Sequence, residues 1–429
     1  MEKIIKFLEE KFVPVAGRIG SQRHLVAVRD GFVTIMPLII AGSLAVLVNN
    51  FPNEAYQNFM QKIFTDKWTS FGGNIWNGTF AVTSLLIIFT IAYSLAKSYD
   101  SDPLAAGIVS FASLMTITAG AEGAWAIPYA WTGAQGLFVS IIVAIISTEI
   151  FTRLLGNKKL NIKMPSGVPP AVAKSFAALL PGMITIAVFS FIRIGTVAAG
   201  IANIHQAIFE AIQGPLSNLG QSIWSAITIA FSNHLLWFFG LHGSNILEPI
   251  MQSVYLPALE ANMAALQSGI DIPNIVTKPF FDVFVYMGGS GTTISLLIAI
   301  YIASLRKKYR SKRLLSTANL GFAPGIFNIN EPVMFGLPIV LNPMFIIPFI
   351  FIPVVLTIIS YGAIASGLVP RTIAMVPWTT PPILGGYLAV ASWRGIVLQL
   401  FNLGIAVLCY FPFIVLSERS ERKKAKEEA

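Results

Sequence analysis

Long apolar runs separated by short polar connections dominate the sequence. Runs long enough to cross a membrane lie at about 31–49, 79–97, 103–120, 135–155, 177–198, 221–241, 281–304, 343–366 and 395–416. A bilayer core about 30 Å thick is crossed by about 20 helical residues. The pattern therefore predicts an all-α, polytopic membrane protein.

Positive charge is distributed unevenly among the connections. Lys and Arg concentrate in 1–30, 153–174, 306–313 and the C-terminal tail, whereas 120–134 and 198–220 contain none. The positive-inside rule then predicts that both termini and the two basic connections are cytoplasmic. The formal net charge of +9 is explained by this topology, so it does not indicate nucleic-acid binding.

The predicted sidedness requires one crossing that the apolar runs do not show. The run at 221–241 returns the chain to the cytoplasm, and 281–304 must also end there, beside the basic run 306–313. We therefore place a tenth, irregular crossing between residues 242 and 280.

Two segments are interrupted by Gly and Pro, at 242–268 and 321–342, which favours broken or re-entrant elements. Both lie in the C-terminal half, and the N-terminal spans are plainer. This asymmetry predicts a scaffold domain over 1–198 and a substrate-binding, transporting domain over 199–429.

Composition supports the membrane interpretation and excludes several kinds of chemistry. The chain is 55% hydrophobic and only 11% charged, whereas soluble domains are about 25% charged. Its one cysteine, Cys409, lies in an apolar run, and the four histidines lack metal-ligand spacing. No phosphate-binding G-x-x-x-x-G-K-[ST] motif is present. We therefore expect no metal and no cofactor.

Glu331 is the most informative single residue. It lies in Asn-Ile-Asn-Glu-Pro-Val-Met-Phe-Gly-Leu-Pro, residues 328–338. An ionised carboxylate in hydrocarbon is costly unless it lines a polar cavity or has a partner. Pro332 and Gly336 interrupt the helix, and broken backbone at membrane depth is tolerated only in such surroundings. Glu331 and the adjacent Asn330 are therefore candidate substrate-binding residues.

A second polar step follows the apolar run 221–241. His242-Gly243-Ser244-Asn245 can present a ring nitrogen and an amide to a hydroxyl-rich ligand, with His242 and Asn245 as candidate ligands. The alternative is that His242 only caps a helix or meets a backbone carbonyl. For His234, inside the span, the default is a helix–helix hydrogen bond. The role of Glu248 stays open.

Trp237 and Trp378 are candidate platforms for the apolar face of a sugar ring. Trp237 precedes His242 by five residues, and Trp378 lies in the irregular Pro-Trp-Thr-Thr-Pro stretch at 377–381. The alternative for each is an interfacial anchor, the commonest role of membrane tryptophans.

These motifs, along essentially the whole chain, resemble the membrane (IIC) component of a sugar phosphotransferase system, in the lactose, cellobiose and N,N'-diacetylchitobiose branch. The resemblance implies a homodimer of ten-span protomers with two re-entrant hairpins, near 242–268 and 321–342. The first five spans would form the dimer interface, and the last five would bind the sugar and move. The family's binding His and Glu correspond to His242 and Glu331. A separate phosphorylated IIB protein is then the expected partner, since Cys409 lies inside a span and cannot carry the phosphoryl group.

We therefore expect a permease of the bacterial inner membrane that works by group translocation. It would bind a disaccharide, which IIB phosphorylates at the cytoplasmic face, with Glu331 as general base or only as a hydrogen-bond partner. Whether the chain counts as an enzyme stays open. The alternatives are a proton-coupled sugar symporter, with Glu331 as the proton carrier, and a structural membrane subunit. Cellobiose, diacetylchitobiose and lactose are not distinguished by the sequence.

Overall fold

A computed structural model describes residues 10–11, 13–51, 53–121, 123–160, 162, 165, 167–306, 311–337 and 339–427. For residues 66, 171 and 419–427 it describes the backbone alone. Parts of the predicted basic segments 1–30, 153–174 and 306–313, the side chains of the basic tail, and Pro338 lie outside what is described. The described residues form helices, turns and loops, without a β-strand.

The helices of the N-terminal half are α1 Val13–Gly20, α2 Arg23–Asn49, α3 Glu54–Phe64, α4 Ser70–Gly78, α5 Thr83–Lys97, α6 Pro103–Ile117, α7 Tyr129–Thr132, α8 Leu137–Leu155 and α9 Pro170–Ala198. Those of the C-terminal half are α10 Ile204–Ile208, α11 Gly214–Gly220, α12 Ile223–Phe238, α13 Gly243–Ile250, α14 Leu256–Gln267, α15 Lys278–Phe284, α16 Thr293–Ser304, α17 Lys312–Ile326, α18 Glu331–Gly336, α19 Ile346–Ala365, α20 Leu384–Val390 and α21 Trp393–Glu427.

The all-α membrane fold is confirmed. Within the described part of the chain, six helical segments are long and apolar enough to cross a bilayer: Arg23–Asn49, Lys67–Lys97, Ala134–Leu155, Val172–Ala198, Ile346–Ala365 and Trp393–Glu418. Three shorter apolar helices, Pro103–Ile117, Ile223–Phe238 and Thr293–Ser304, complete the predicted runs. The total of ten crossings stays a prediction.

One predicted span is not a continuous helix. The apolar run 281–304 contains the end of α15 and all of α16, separated by residues 285–292. Gly288, Gly289 and Gly291 all have positive φ there, a backbone region that glycine enters without steric cost. The glycines break the helix although hydropathy alone reads the run as unbroken.

The two interrupted segments differ in form. Residues 243–267 are helical throughout, with a π-helical turn at Met251–Tyr255 lying between Pro249 and Pro257. Proline removes a helical hydrogen bond, which explains why the turn widens here. In the second segment α17 ends before Asn328, which has a φ of 62°, and α18 starts at Glu331. The re-entrant hairpins stay predictions.

The described residues bury two main apolar cores. One lies among the N-terminal helices and includes Ile87 and Ile91, and the other lies in the C-terminal half. Helix α14 joins the N-terminal core through Leu256, Leu259 and Met263. The buried carboxylate of Glu260 also accepts a hydrogen bond of 3.2 Å from the hydroxyl of Thr83. Helix α14 therefore packs against the N-terminal helices, and the domain division at residue 198 stays a prediction.

Candidate functional site

His242 caps helix α13 with one ring nitrogen, and its other ring nitrogen can donate a hydrogen bond. Its Nδ1 accepts a hydrogen bond of 3.2 Å from the backbone N–H of Asn245. Because Nδ1 is the acceptor, the neutral imidazole carries its proton on Nε2. The capping alternative is therefore realised, and it also orients the ring. His242 is exposed, so its Nε2–H is suited to a ligand hydroxyl.

Glu331 acts electrostatically on His242, although the two residues are 89 positions apart. Glu331 begins α18 and is exposed. That His242 and Glu331 bind one ligand together stays a prediction.

The two candidate tryptophans differ in accessibility. Trp237 is only 5% exposed and packs against His242, with ring centroids 4.3 Å apart and an interplanar angle of 47°. Trp378 is 56% exposed. Trp237 therefore supports the imidazole, and Trp378 has the open face that ring packing requires. Sugar contact by either ring stays a prediction.

Hydrogen bonds connect the His242 step to the Asn-Glu-Pro segment. The hydroxyl of Ser244 donates to Oδ1 of Asn233 at 3.1 Å and lies 3.2 Å from the hydroxyl of Ser290. The amide of Asn233 donates to the same Ser290 hydroxyl at 3.2 Å. On the other side, the amide of Asn330 donates to the backbone carbonyl of Ser290 at 2.9 Å. Ser290 thus contacts both halves of the candidate site.

Asn328 joins the third motif to this network. Its Oδ1 accepts the backbone N–H of Gly288 at 2.7 Å. Its Nδ2 donates to the carbonyl oxygens of Trp378, at 2.5 Å, and Thr380, at 3.0 Å. The segments 242–245 and 328–338 therefore both contact the loop 288–291, and Asn328 connects the segment 377–381 to them.

The glycines of this loop permit a close approach of backbones. A Cβ on Gly289 would lie 2.7 Å from the carbonyl oxygen of Asn328 and 2.8 Å from Cβ of Asn330. Either contact is too short for a real side chain, so only glycine fits.

An ionic cluster lies on the helices flanking this site. Nζ of Lys278 is 2.7 Å from a carboxylate oxygen of Asp282 and 3.7 Å from one of Glu248. The amide of Gln252 donates to Glu248 at 2.6 Å. Asp282 also lines a small hollow with Asn328, Trp378, Thr380 and Gln399, among others. Glu248, whose role was open, is therefore part of a buried charge cluster.

Sequence reasoning missed Ser290 and the Lys278–Asp282 pair. A signal for both was present: Gly-Gly-Ser-Gly and a Lys–Asp pair at i,i+4 are unusual beside an apolar run. The partners across the fold, Asn233 and Glu248, carry no local signal.

The remaining candidates occupy different surroundings. Asn330 is buried, and one of its two amide N–H groups donates to the Ser290 carbonyl, so its second amide N–H and its amide oxygen remain for a sugar. The side chain of Asn245 is exposed. The helix–helix bond expected for His234 is not formed, because its Nδ1 bonds the carbonyl of Ala230 in its own helix at 2.5 Å. Among the described residues, no group of three His, Cys, Asp or Glu side chains is placed to hold a metal ion.

Comparisons with known proteins relate the whole chain to one family. The family model described as "Phosphotransferase system, EIIC" matches residues 29–353. The lichenan permease IIC component of Bacillus subtilis (strain 168) is 40% identical over 442 residues, covering 100% of this chain and 96% of the relative. The cellobiose-specific EIIC component of Geobacillus stearothermophilus is 40% identical over 445 residues, with 100% and 97% covered.

A solved structure shares the fold along the whole chain. It is the crystal structure of the transporter ChbC, the IIC component from the N,N'-diacetylchitobiose-specific phosphotransferase system. The TM-score is 0.92 at 42% sequence identity, and the match covers 99% of this chain and 100% of the other.

Proposed function

This chain belongs to the phosphotransferase system EIIC family, a family of membrane permeases, and we propose that it binds its disaccharide between His242 and Glu331. The observation that carries the proposal is that the segments bearing these two side chains both contact the same residue, Ser290. The two side chains are remote in sequence, both are exposed, and the charge of Glu331 acts on the His242 ring. A donor facing a carboxylate suits neutral sugar hydroxyls.

The substrate class follows from the relatives and from the site. The relatives' names specify cellobiose, lichenan and N,N'-diacetylchitobiose. Here the backbone carbonyl of Trp378 is hydrogen-bonded to Asn328, on the Glu331 segment, and its ring is exposed. An exposed aromatic ring beside this segment supports a ligand larger than one sugar ring. We assign a disaccharide of the cellobiose or diacetylchitobiose type.

The chemistry divides between this chain and IIB. Glu331 accepts the hydrogen bond of the sugar 6-hydroxyl and takes its proton as that oxygen attacks the phosphorus held on the IIB cysteine. The new O–P bond forms as the S–P bond breaks, and the electron pair leaves on the IIB thiolate. Glu331 then passes the proton to cytoplasmic water, and its restored carboxylate repels the anionic product, which favours release and makes uptake irreversible.

The orientation and assembly are further parts of the proposal. The basic segments 1–30, 153–174 and 306–313 support cytoplasmic termini and IIB access from the cytoplasm. Residues 1–198 act as scaffold, and the C-terminal half moves with the sugar. Val172–Ala198 has the smallest buried share of the six long spans, 22%, which supports contact with lipid or with a second protomer in a homodimer.

Transport by vesicles that contain the purified protein tests this function. Labelled cellobiose, diacetylchitobiose and lactose are supplied on one side and phosphorylated IIB on the other. The proposal predicts accumulation of phosphorylated disaccharide only when IIB is present. Accumulation of free sugar driven by a pH gradient without IIB would establish the symporter alternative instead.

A further inference from the structure

The hydroxyl of Ser290 closes a ring of three hydrogen bonds. Asn233 Nδ2 donates to Ser290 Oγ, and Ser244 Oγ donates to Asn233 Oδ1. Because the Ser244 proton is used in this way, the Ser290 hydroxyl must donate its own proton across the 3.2 Å contact to Ser244. Each of the three side chains then gives one hydrogen bond and receives one.

This ring is shielded from solvent. Ser290 is 5% exposed, Asn233 is 1% exposed, and Ser244 is half-buried. Loss of the Ser290 hydroxyl would leave the Asn233 amide N–H without its acceptor in a place that bulk water does not reach, which costs more than an exposed hydrogen bond. The ring is therefore rigid in the sense that no single member can rotate without breaking two bonds.

The ring of hydrogen bonds holds the His242 side of the candidate site, and the backbone carbonyl of Ser290 holds the Glu331 side. Ser244 lies two residues after His242, in the first turn of the helix that His242 caps. Asn330, which donates to the Ser290 carbonyl, immediately precedes Glu331. The neighbouring Gly289 lies so close to the Asn328–Asn330 backbone that no side chain fits between them. Ser290 thus contacts Ser244, two residues after His242, and Asn330, the residue before Glu331.

We propose that Ser290 is a positioning residue that sets the placement of His242 relative to Glu331. The inference rests on the proposed function, because it assigns to Ser290 the geometry of that same sugar site. Ser290 does not itself bind sugar. Its hydroxyl holds the helix that His242 caps, its carbonyl holds the Glu331 segment, and the glycines around it allow both to approach.

Ser290→Ala tests the proposal, with Ser295→Ala as the matched control. Ser295 is also buried, five residues further on, but its hydroxyl faces the carbonyl of Leu403 on the last helix. Ser290→Ala should weaken disaccharide binding roughly three- to tenfold, the effect of about one lost hydrogen bond. At saturating sugar it should also lower the rate of IIB-dependent phosphorylation, because the acceptor hydroxyl is no longer aligned with Glu331. Ser295→Ala should change neither quantity.

The melting temperature distinguishes positioning from a merely structural role. If both alanine variants lower the melting temperature and neither changes affinity or the saturated rate, Ser290 is structural and the proposal is wrong. Ser244→Ala provides the same test from the other side of the ring should Ser290→Ala not fold, and it should reproduce the loss of affinity. Equal affinity in Ser244→Ala and wild type would also contradict the proposal.

Failure of the proposed function gives a different result. A wild-type protein that binds disaccharide but yields no phosphorylated product with IIB would refute the phosphotransferase step, whereas the affinities of the three serine variants would still decide the role of Ser290.

Discussion

The indole ring of Trp237 lies against the imidazole of His242, with centroids 4.3 Å apart, and is itself almost completely buried. The contact joins the end of the apolar helix α12 to the polar step that follows it. It places the aromatic residue behind the ligand-facing imidazole, so Trp237 and Trp378 should contribute to binding in different ways.

Replacement of the two tryptophans separates these contributions. Trp378→Ala should weaken disaccharide binding by about 1–3 kcal/mol, through the apolar area lost from an open ring. Trp237→Ala should weaken binding by releasing the His242 ring and should also lower the melting temperature, because a buried side chain is removed. Calorimetry on the purified variants measures both effects.

Trp224→Ala is the control for this pair. Trp224 is 74% exposed at the opposite end of the same helix, about 20 Å from Trp237 at 1.5 Å per residue. Its removal should leave affinity unchanged. Wild-type affinity in both the Trp237 and Trp378 variants would make them interfacial anchors.

Gly289 and Gly367 provide a matched pair for the close approach at the loop. Both have positive φ, 92° and 76°, but a Cβ on Gly367 meets nothing within 4 Å. Alanine at either position costs backbone strain. Only Gly289→Ala adds a collision with Asn328 and Asn330, so it should lose both stability and sugar affinity relative to Gly367→Ala. Equal behaviour of the two variants would show that the loop does not need this contact.

The buried ionic cluster should be important for stability. Lys278→Met leaves the carboxylates of Asp282 and Glu248 without their cation, and removal of one partner of a buried ion pair costs about 3–5 kcal/mol. The double variant with Asp282→Asn should recover part of this loss, because one uncompensated charge is removed. Thermal unfolding in detergent gives the comparison, and Lys62→Met, on an exposed helix face, should have little effect. A Lys278→Met protein as stable as Lys62→Met would contradict a buried cluster.

The fold was predictable wherever one physical effect dominated. Hydropathy identifies the long apolar helices because burying apolar surface in lipid requires a run of fixed minimum length. It misread 281–304 as one span, since three glycines change the average hydropathy little but change the allowed backbone greatly.

The candidate site was predictable at its charged residues and not at its supports. Glu331 and His242 are conspicuous because a polar group beside broken helices in an apolar chain is costly. Ser290 has no such cost, and its role arises from Asn233 and Ser244, 57 and 46 positions away. The unequal exposure of Trp237 and Trp378 likewise depends on tertiary packing, which no local pattern records.

The central claim is that Glu331 receives the proton of the hydroxyl that IIB phosphorylates. Glu331→Gln retains the shape and one hydrogen-bond acceptor but cannot take up a proton. Glu54→Gln, which changes another exposed carboxylate at the start of a helix, is the matched control.

The decisive measurement is the rate of disaccharide phosphorylation by a purified phospho-IIB donor, taken with the equilibrium affinity of the same variant. The account predicts that Glu331→Gln binds sugar with modestly reduced affinity and phosphorylates it roughly 10²–10⁴-fold more slowly. A parallel decline in affinity and rate would reduce Glu331 to a hydrogen-bond partner. A normal phosphorylation rate in Glu331→Gln would remove it from the mechanism.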